Sequence, residues 1–252
     1  MRVLHGLALR LRRPARPGHV GSAAPGAPSI ALFHGCLARA LEPEVMAAAR
    51  SVFTRLGVAT TTPAGQVCCG AMHRHNGFPE AADAMLAENR AVFAGTTVVG
   101  GASACVAELR PALPATELCR ALLDIPWPES VALRPLSGTV AVHEPCSQRN
   151  QLRDTRAVYD LLARIPGLRI LPLPGNESCC GAAGTYLLDH PQTAEQLAAD
   201  KVDALTALRP RWLVTTNTGC AAHLAAAAAA AGLDVEVVHP VVLLARSLDP
   251  DR

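Results

Sequence analysis

Residues 177–186 read Glu-Ser-Cys-Cys-Gly-Ala-Ala-Gly-Thr-Tyr, and the Cys179-Cys180-Gly181 inside them organises the rest of the chain. An earlier copy, Cys68-Cys69-Gly70, lies in the run QVCCGAMH. Cys36 precedes the first pair by 31 intervening residues and Cys105 follows it by 35. Cys146 precedes the second pair by 32 and Cys220 follows it by 39. One pattern, C…CCG…C, is therefore written twice, with offsets of 110, 111 and 115 between matching cysteines. A near-constant offset marks an internal repeat. It divides the chain into a basic helix-and-linker tail (1–29), a first half (30–135) and a second half (136–252). The ninth cysteine, Cys119, falls outside the register and reads as a small buried hydrophobe.

Apolar runs alternate with helical patterns in both halves. Strands are expected at Ile30–His34, Val58–Thr62 and Thr96–Val99, and again at Thr139–His143, Leu168–Leu173, Trp212–Thr216 and Val235–Val238. Helices are expected at Val3–Arg13, Glu42–Leu56, Pro79–Phe93, after Cys105, and at Arg156–Ile165, Pro191–Leu208, Ala221–Ala231 and Val241–Ser247. Pro79 stands at the first turn, where its missing N–H costs nothing, and Gly95 closes that element. Residues 111–135 read as a Pro-rich join. The alternation argues for an α/β fold of two pseudo-symmetric Rossmann-like halves with mainly parallel sheets. The cysteines then fall past the C-terminal ends of strands, the edge of an open α/β sheet where ligands sit.

Composition narrows the chemistry. The 252 residues are 50% apolar and 17% charged with a net charge of +2, which gives nucleic acid little electrostatic purchase. No apolar run reaches the roughly 18 residues of a membrane span. Lys201 is the one lysine, read as part of a coding bias toward arginine. Nine cysteines without a secretory signal suggest reduced thiols committed to metal in a cytoplasmic protein. Four thiolates are soft donors that suit zinc or an iron–sulfur cluster. Adjacent cysteines splay apart, which favours a multi-iron centre over one small ion. The glycine after each pair, Gly70 and Gly181, would let backbone approach the centre. Gly35, Gly219 and the Gly181–Gly184 pair would leave amides free for its sulfurs. Around the eight candidate ligands Cys36, Cys68, Cys69, Cys105, Cys146, Cys179, Cys180 and Cys220 stand further candidates. His223 and Glu108 lie one helical turn beyond a cysteine, and His143 and Glu144 just before Cys146. His34, His73 and His75 flank the first set, and Tyr186 and Asn217 the second.

The runs ALFHGCLARALEPEV, CCGAMHRHNG, GASACVAELR, VAVHEPCSQRN, CCGAAGTY, TTNTGCAAHL and HPVVLLAR resemble the cysteine-rich (CCG) domain proteins, over about residues 30–247. That family includes one of the subunits of heterodisulfide reductase, and the likeness is stronger to the C-terminal part of the glycolate oxidase iron–sulfur subunit. The resemblance implies one or two iron–sulfur clusters, of the 4Fe-4S kind, at the CCG cysteines. It also implies electron transfer from a flavoprotein 2-hydroxyacid dehydrogenase partner, at the inner membrane face if that partner sits there. Two departures accompany it. Heterodisulfide reductase ends each repeat in CxxC, where this chain has Glu108 and His223. The ferredoxin run CxxCxxCxxxCP of the glycolate oxidase subunits is absent, which is expected either of a natural single-module relative or of a chain that depends on a separate ferredoxin-type protein. A catalytic thiol/disulfide module and a zinc-holding structural module, with zinc in the first half, remain as alternatives.

Overall fold

The computed structural model describes residues 29–248, and the Val3–Arg13 helix expected from the sequence lies outside them. Two four-stranded sheets, each entirely parallel, carry the chain. The first contains β1 (Ser29–Phe33), β2 (Ala59–Thr61), β3 (Thr97–Gly100) and β4 (Ala115–Glu117), in the order β2-β1-β3-β4. The second contains β5 (Gly138–Val142), β6 (Leu168–Pro172), β7 (Trp212–Val214) and β8 (Glu236–Val238), in the order β6-β5-β7-β8. The two orders are the same, and so is the polarity. This is an α/β fold of two similar Rossmann-like halves. In each, the crossover direction reverses between the first and third strands, which leaves a crevice past their C-terminal ends.

In the first half, α1 (Cys36–Leu41) and α2 (Pro43–Arg55) follow β1, α3 (Ala71–His75) and α4 (Pro79–Val92) follow β2, α5 (Ser103–Leu109) follows β3, and α6 (Leu118–Asp124) follows β4. In the second half a π-helical turn (Ser147–Leu152) takes the place of α1. It is followed by α7 (Arg156–Leu162), α8 (Tyr186–Asp189), α9 (Pro191–Leu208), α10 (Thr218–Ala230) and α11 (Pro240–Leu248). The Pro-rich join is thus not irregular, since β4 and α6 lie inside it. A three-residue strand directly after Pro114 is too short to show a period, and pairing with β3 alone makes it a strand.

Strand residues alternate between two cores, as the period of two requires. Leu32, Val99, Val140, Val142, Trp212 and Val214 point inward to one cluster, shared by both halves and filled by α2, α6, α7 and α11. Helix α11 packs on α2, and α6 on α7. Ala31, Phe33 and Val98 face a second cluster under α4 and α5. Ala141 and Leu213 face a third under α9 and α10. The pairings α1 with α10, and α5 with the π turn, are reciprocal, so an approximate twofold relates the halves.

Near that axis Glu117 and His239, each at the end of its half's fourth strand, meet at 3.8 Å with side chains 2% exposed. Burial pushes the Glu117 carboxyl up to about 7 and the His239 imidazole down to about 3. A carboxyl whose folded pKa is raised adds stability below its unfolded value, and loses it as pH rises through the folded one. Relative to Glu117→Gln, the wild type should therefore lose stability between pH 5 and pH 8, with a slope up to about 1.4 kcal/mol per pH unit. Denaturant unfolding of the full chain at the two pH values reads this. Parallel wild-type and variant curves would show that the carboxyl does not titrate in that window.

Candidate metal centre

Each crevice gathers four sulfurs. Cys36 opens α1 directly after β1, and Cys105 is the third residue of α5 directly after β3. Cys146 precedes the π turn after β5, and Cys220 is the third residue of α10 after β7. The CCG loops, leaving β2 and β6, bring the central pairs in from the side. In the first set the Cys36 and Cys68 Sγ atoms lie 3.4 Å apart, and Cys69 and Cys105 lie 3.3 Å apart. The second set repeats the linkage, with Cys146 against Cys179 and Cys180 against both Cys179 and Cys220. All eight thiols are free.

The sulfurs polarise one another identically in the two sets. Cys68 is driven toward thiolate by hydrogen bonds from Cys36 and then Cys69, and Cys179 by those from Cys146 and then Cys180. The donors shift the other way: the Cys36 thiol is pushed up by its bond to Cys68, Cys69 by those to Cys105 and Cys68, and Cys146 by that to Cys179. Four soft donors with one poised thiolate among them are chemically suited to a thiophilic metal centre. Either set could hold iron–sulfur or zinc.

The CCG glycines have a packing role beside the expected one of letting backbone approach the centre. Gly70 and Gly181 have φ of 89° and 91°, in the left-handed region. A Cβ on Gly70 would meet the Ala82 backbone at 2.9 Å, and one on Gly181 the Ala194 carbonyl at 2.5 Å. The glycines therefore let α4 and α9 close onto the cysteine loops. Gly181 N–H does reach sulfur, donating to Cys179 Sγ at 3.4 Å. Gly219 N–H is not free for a sulfur, because it donates to Asn217 Oδ1 at 3.0 Å. Asn217 caps α10 and also reaches Ser147 Oγ at 3.4 Å.

The remaining candidates divide. His143 is brought to the second set, with its ring, Cys180 and Cys220 offering ligand atoms within 4.8 Å of one another. Its Nδ1 lies 2.9 Å from Thr215 Oγ1, and burial followed by the charge of Lys201 lowers it to about 4. Glu144 turns away, accepting from Tyr159 at 2.7 Å. Glu108 accepts from Arg74 Nε at 2.6 Å, and His223 Nε2 lies 3.1 Å from the Ala194 carbonyl, so both act as struts at the place where a CxxC would end. His34 is lowered to about 4 by burial and by Arg39 and Arg50, and its Nε2 has no partner among the described residues. His73 Nδ1 is likewise buried without a partner among the described residues, and His75 is exposed. Tyr186 stacks on His190 at 4.5 Å, on the surface.

Three features escape a reading of the sequence alone. Gln66 and Asn176 brace the two sites alike: Gln66 accepts from His34 N–H at 2.6 Å and donates to Leu32 O at 3.3 Å, and Asn176 accepts from Glu144 N–H at 3.0 Å and donates to Val142 O at 2.9 Å. The signal is an amide side chain at the same 110-residue offset as Cys36 and Cys146. The third is Lys201, wholly buried on α9, whose Nζ donates to the Gly175 carbonyl. Its pKa is lowered by burial against the pull of Glu177, Cys180, Asp200 and Cys179. A lone lysine in an arginine-rich chain is the available hint. A further cluster, Glu117 with Cys119 and His239, is structural. Val241 N–H donates to His239 Nδ1 at 3.1 Å, which leaves the hydrogen, not a lone pair, on Nε2.

The fold and these two crevices define a duplicated α/β protein with one four-cysteine set per half. The chain belongs to the cysteine-rich domain (CCG) family, whose pattern matches residues 30–110 and 140–225. It is 31% identical over 221 residues to the glycolate oxidase iron–sulfur subunit of Escherichia coli K12, covering 79% of this chain and 54% of that protein. It is 28% identical to lactate utilization protein A of Geobacillus kaustophilus over 83% of this chain and 95% of that one. One of the subunits of the fumarate reductase (CoM/CoB) of Methanothermobacter marburgensis is 26% identical over 88% of this chain and 47% of its own length. The chain thus spans about half of the first and third of these relatives and nearly all of the second.

The packing account makes a sharp comparison. Gly181→Ala should cost about 3 kcal/mol or more, from left-handed strain plus the Ala194 collision. Gly77→Ala, with a φ of 84° but nothing within 4 Å, should cost about 1 kcal/mol. Denaturant midpoints of the two variants read the difference, and equal costs would refute the role assigned to Ala194.

Proposed function

We propose that the chain is an iron–sulfur electron-transfer subunit working beside a flavoprotein dehydrogenase of 2-hydroxy acids. One observation carries the reading: two four-thiol sets with the same linkage stand in the ligand crevices of a chain similar to the glycolate oxidase iron–sulfur subunit. Iron–sulfur clusters supply one-electron storage, which the side chains of this protein lack. Cys36, Cys68, Cys69 and Cys105 would hold one centre, and Cys146, Cys179, Cys180 and Cys220 the other, with 4Fe-4S clusters as the assignment. Because the sets match, the same metal chemistry is proposed for both, rather than zinc for the first half. The ends of 30–135 and 136–252 are proposed as the bounds of the duplicated unit. A flavoprotein would deliver the electrons, a ferredoxin-type protein is a candidate neighbour in the relay, and the cytoplasm is the proposed compartment. Among the described residues no helix is long and apolar enough to cross a membrane.

The chain's own part is to keep the thiols together. Gln66 and Asn176 lock the strand ends to the cysteine loops, while α4 and α9 close over them. Anaerobically purified full chain should contain several irons and matching acid-labile sulfide, with visible absorbance. Cys179→Ser should lose about half the iron and slow electron transfer from a reduced flavoprotein at least tenfold. Undiminished transfer would remove the second site from the relay. Zinc without sulfide would favour the structural alternative, and turnover of disulfides with a reduced dye would favour the catalytic one.

A further inference from the structure

The two crevices share their sulfurs but not their floors. Ala82 on α4 and Ala194 on α9 are matching positions, since each meets its CCG glycine. Seven residues on, two turns along the same helix face, stand Asn89 and Lys201, both with no exposed surface. Each is tied to the backbone of its cysteine loop. Asn89 accepts from Val67 N–H at 3.1 Å and donates to Cys68 O at 3.0 Å, and the Lys201 ammonium donates to Gly175 O. The first site therefore has a neutral amide where the second has a cation.

The strand ends differ in the same sense. Phe33 pairs with Gly100 at the end of β1 and β3, and Phe33 packs on Phe93 at 6.1 Å. One step beyond the Val142–Val214 pair, the second half places His143 beside Thr215. An apolar floor in one half is thus a polar one in the other. Cys146 is also exposed, whereas its counterpart Cys36 is half-buried.

We infer that Lys201 is a positioning residue of the second sulfur site, making a centre held by Cys146, Cys179, Cys180 and Cys220 the more readily reduced of the two. A thiolate-bound centre gains negative charge on reduction. Burial weakens screening, so a fixed cation nearby stabilises the reduced form, and the greater exposure of Cys146 moves the potential in the same direction. The inference rests on the iron–sulfur reading above. It makes the second site the place where electrons collect and the first the place they leave.

Potentiometric titration of the anaerobically purified full chain, followed by electron paramagnetic resonance, tests it with wild type, Lys201→Met, Lys201→Arg and Cys179→Ser. The step abolished by Cys179→Ser should be the higher one. Lys201→Met should lower that step alone, raising its oxidised-to-reduced ratio at fixed potential about tenfold, or about 59 mV for one electron. Lys201→Arg should keep it near the wild-type value. If Lys201→Met instead loses that step with its iron while Lys201→Arg retains both, charge compensation is again supported. Loss from both variants, a shift of both steps, or no shift overturns the inference. Wild-type protein without iron or sulfide overturns the iron–sulfur reading and this inference together, whereas two normal steps insensitive to Lys201 overturn this inference alone.

Discussion

Gly181 and the Ala194 carbonyl approach so closely that a single methyl group would lie 2.5 Å from the oxygen. Gly70 stands in the same relation to Ala82. Much of each crevice follows from that approach. The left-handed glycine turns the chain sharply after two adjacent cysteines, so that their sulfurs diverge toward different partners. One meets the cysteine after the first strand, and the other the cysteine after the third. The helix that closes on the glycine carries the buried polar group that ties down the cysteine loop. A bulkier residue would separate helix from loop, and the four sulfurs would lose their common wall.

The sulfurs converge because of the sheet order as much as because of the loop. In a 2-1-3-4 sheet the crossovers from the first and third strands run to opposite faces, and the gap between them opens at their C-terminal ends. Cys36 and Cys105 stand on the two lips of that gap, as do Cys146 and Cys220. Residues far apart in the chain become neighbours with little distortion. This also explains why the last position of the heterodisulfide reductase pattern can change. Glu108 and His223 lie one turn farther along α5 and α10, where they hold Arg74 and the Ala194 carbonyl instead.

Eight cysteines and the parallel alternation were legible because they depend on spacing, which a sequence displays. The braces and floors were not, because the repeat does not keep one offset. Cys36 and Gln66 match their counterparts at 110 residues, Gly70 at 111, Ala82 at 112, and Cys105 at 115. Each loop insertion shifts the register, so Asn89 and Lys201 become comparable only when packing shows which alanines correspond. Lys201 read as a relic of composition for that reason. The join at 111–135 failed differently. Its strand takes its identity from hydrogen bonds to β3, a non-local cause that three residues after a proline do not reveal.

Duplication in the sequence does not make two independent bodies in space. The largest core takes residues from both sheets, and each inner helix packs on a helix of the other half. The sulfur sites are drawn into the same arrangement. Ser103, two residues before Cys105, lies 2.7 Å from Ser147, the neighbour of Cys146, and its N–H donates to Thr216 O at 2.8 Å. Asn76 accepts from Thr185, so the segments that follow the two CCG turns also touch. A cysteine-bearing segment of one half is thus anchored to one of the other at each of these points. The two bonds made by Ser103 are buried, and a sliding of the halves would leave them unsatisfied at a cost of about 1–3 kcal/mol each. The shared core therefore holds the two four-cysteine sets at a constant separation.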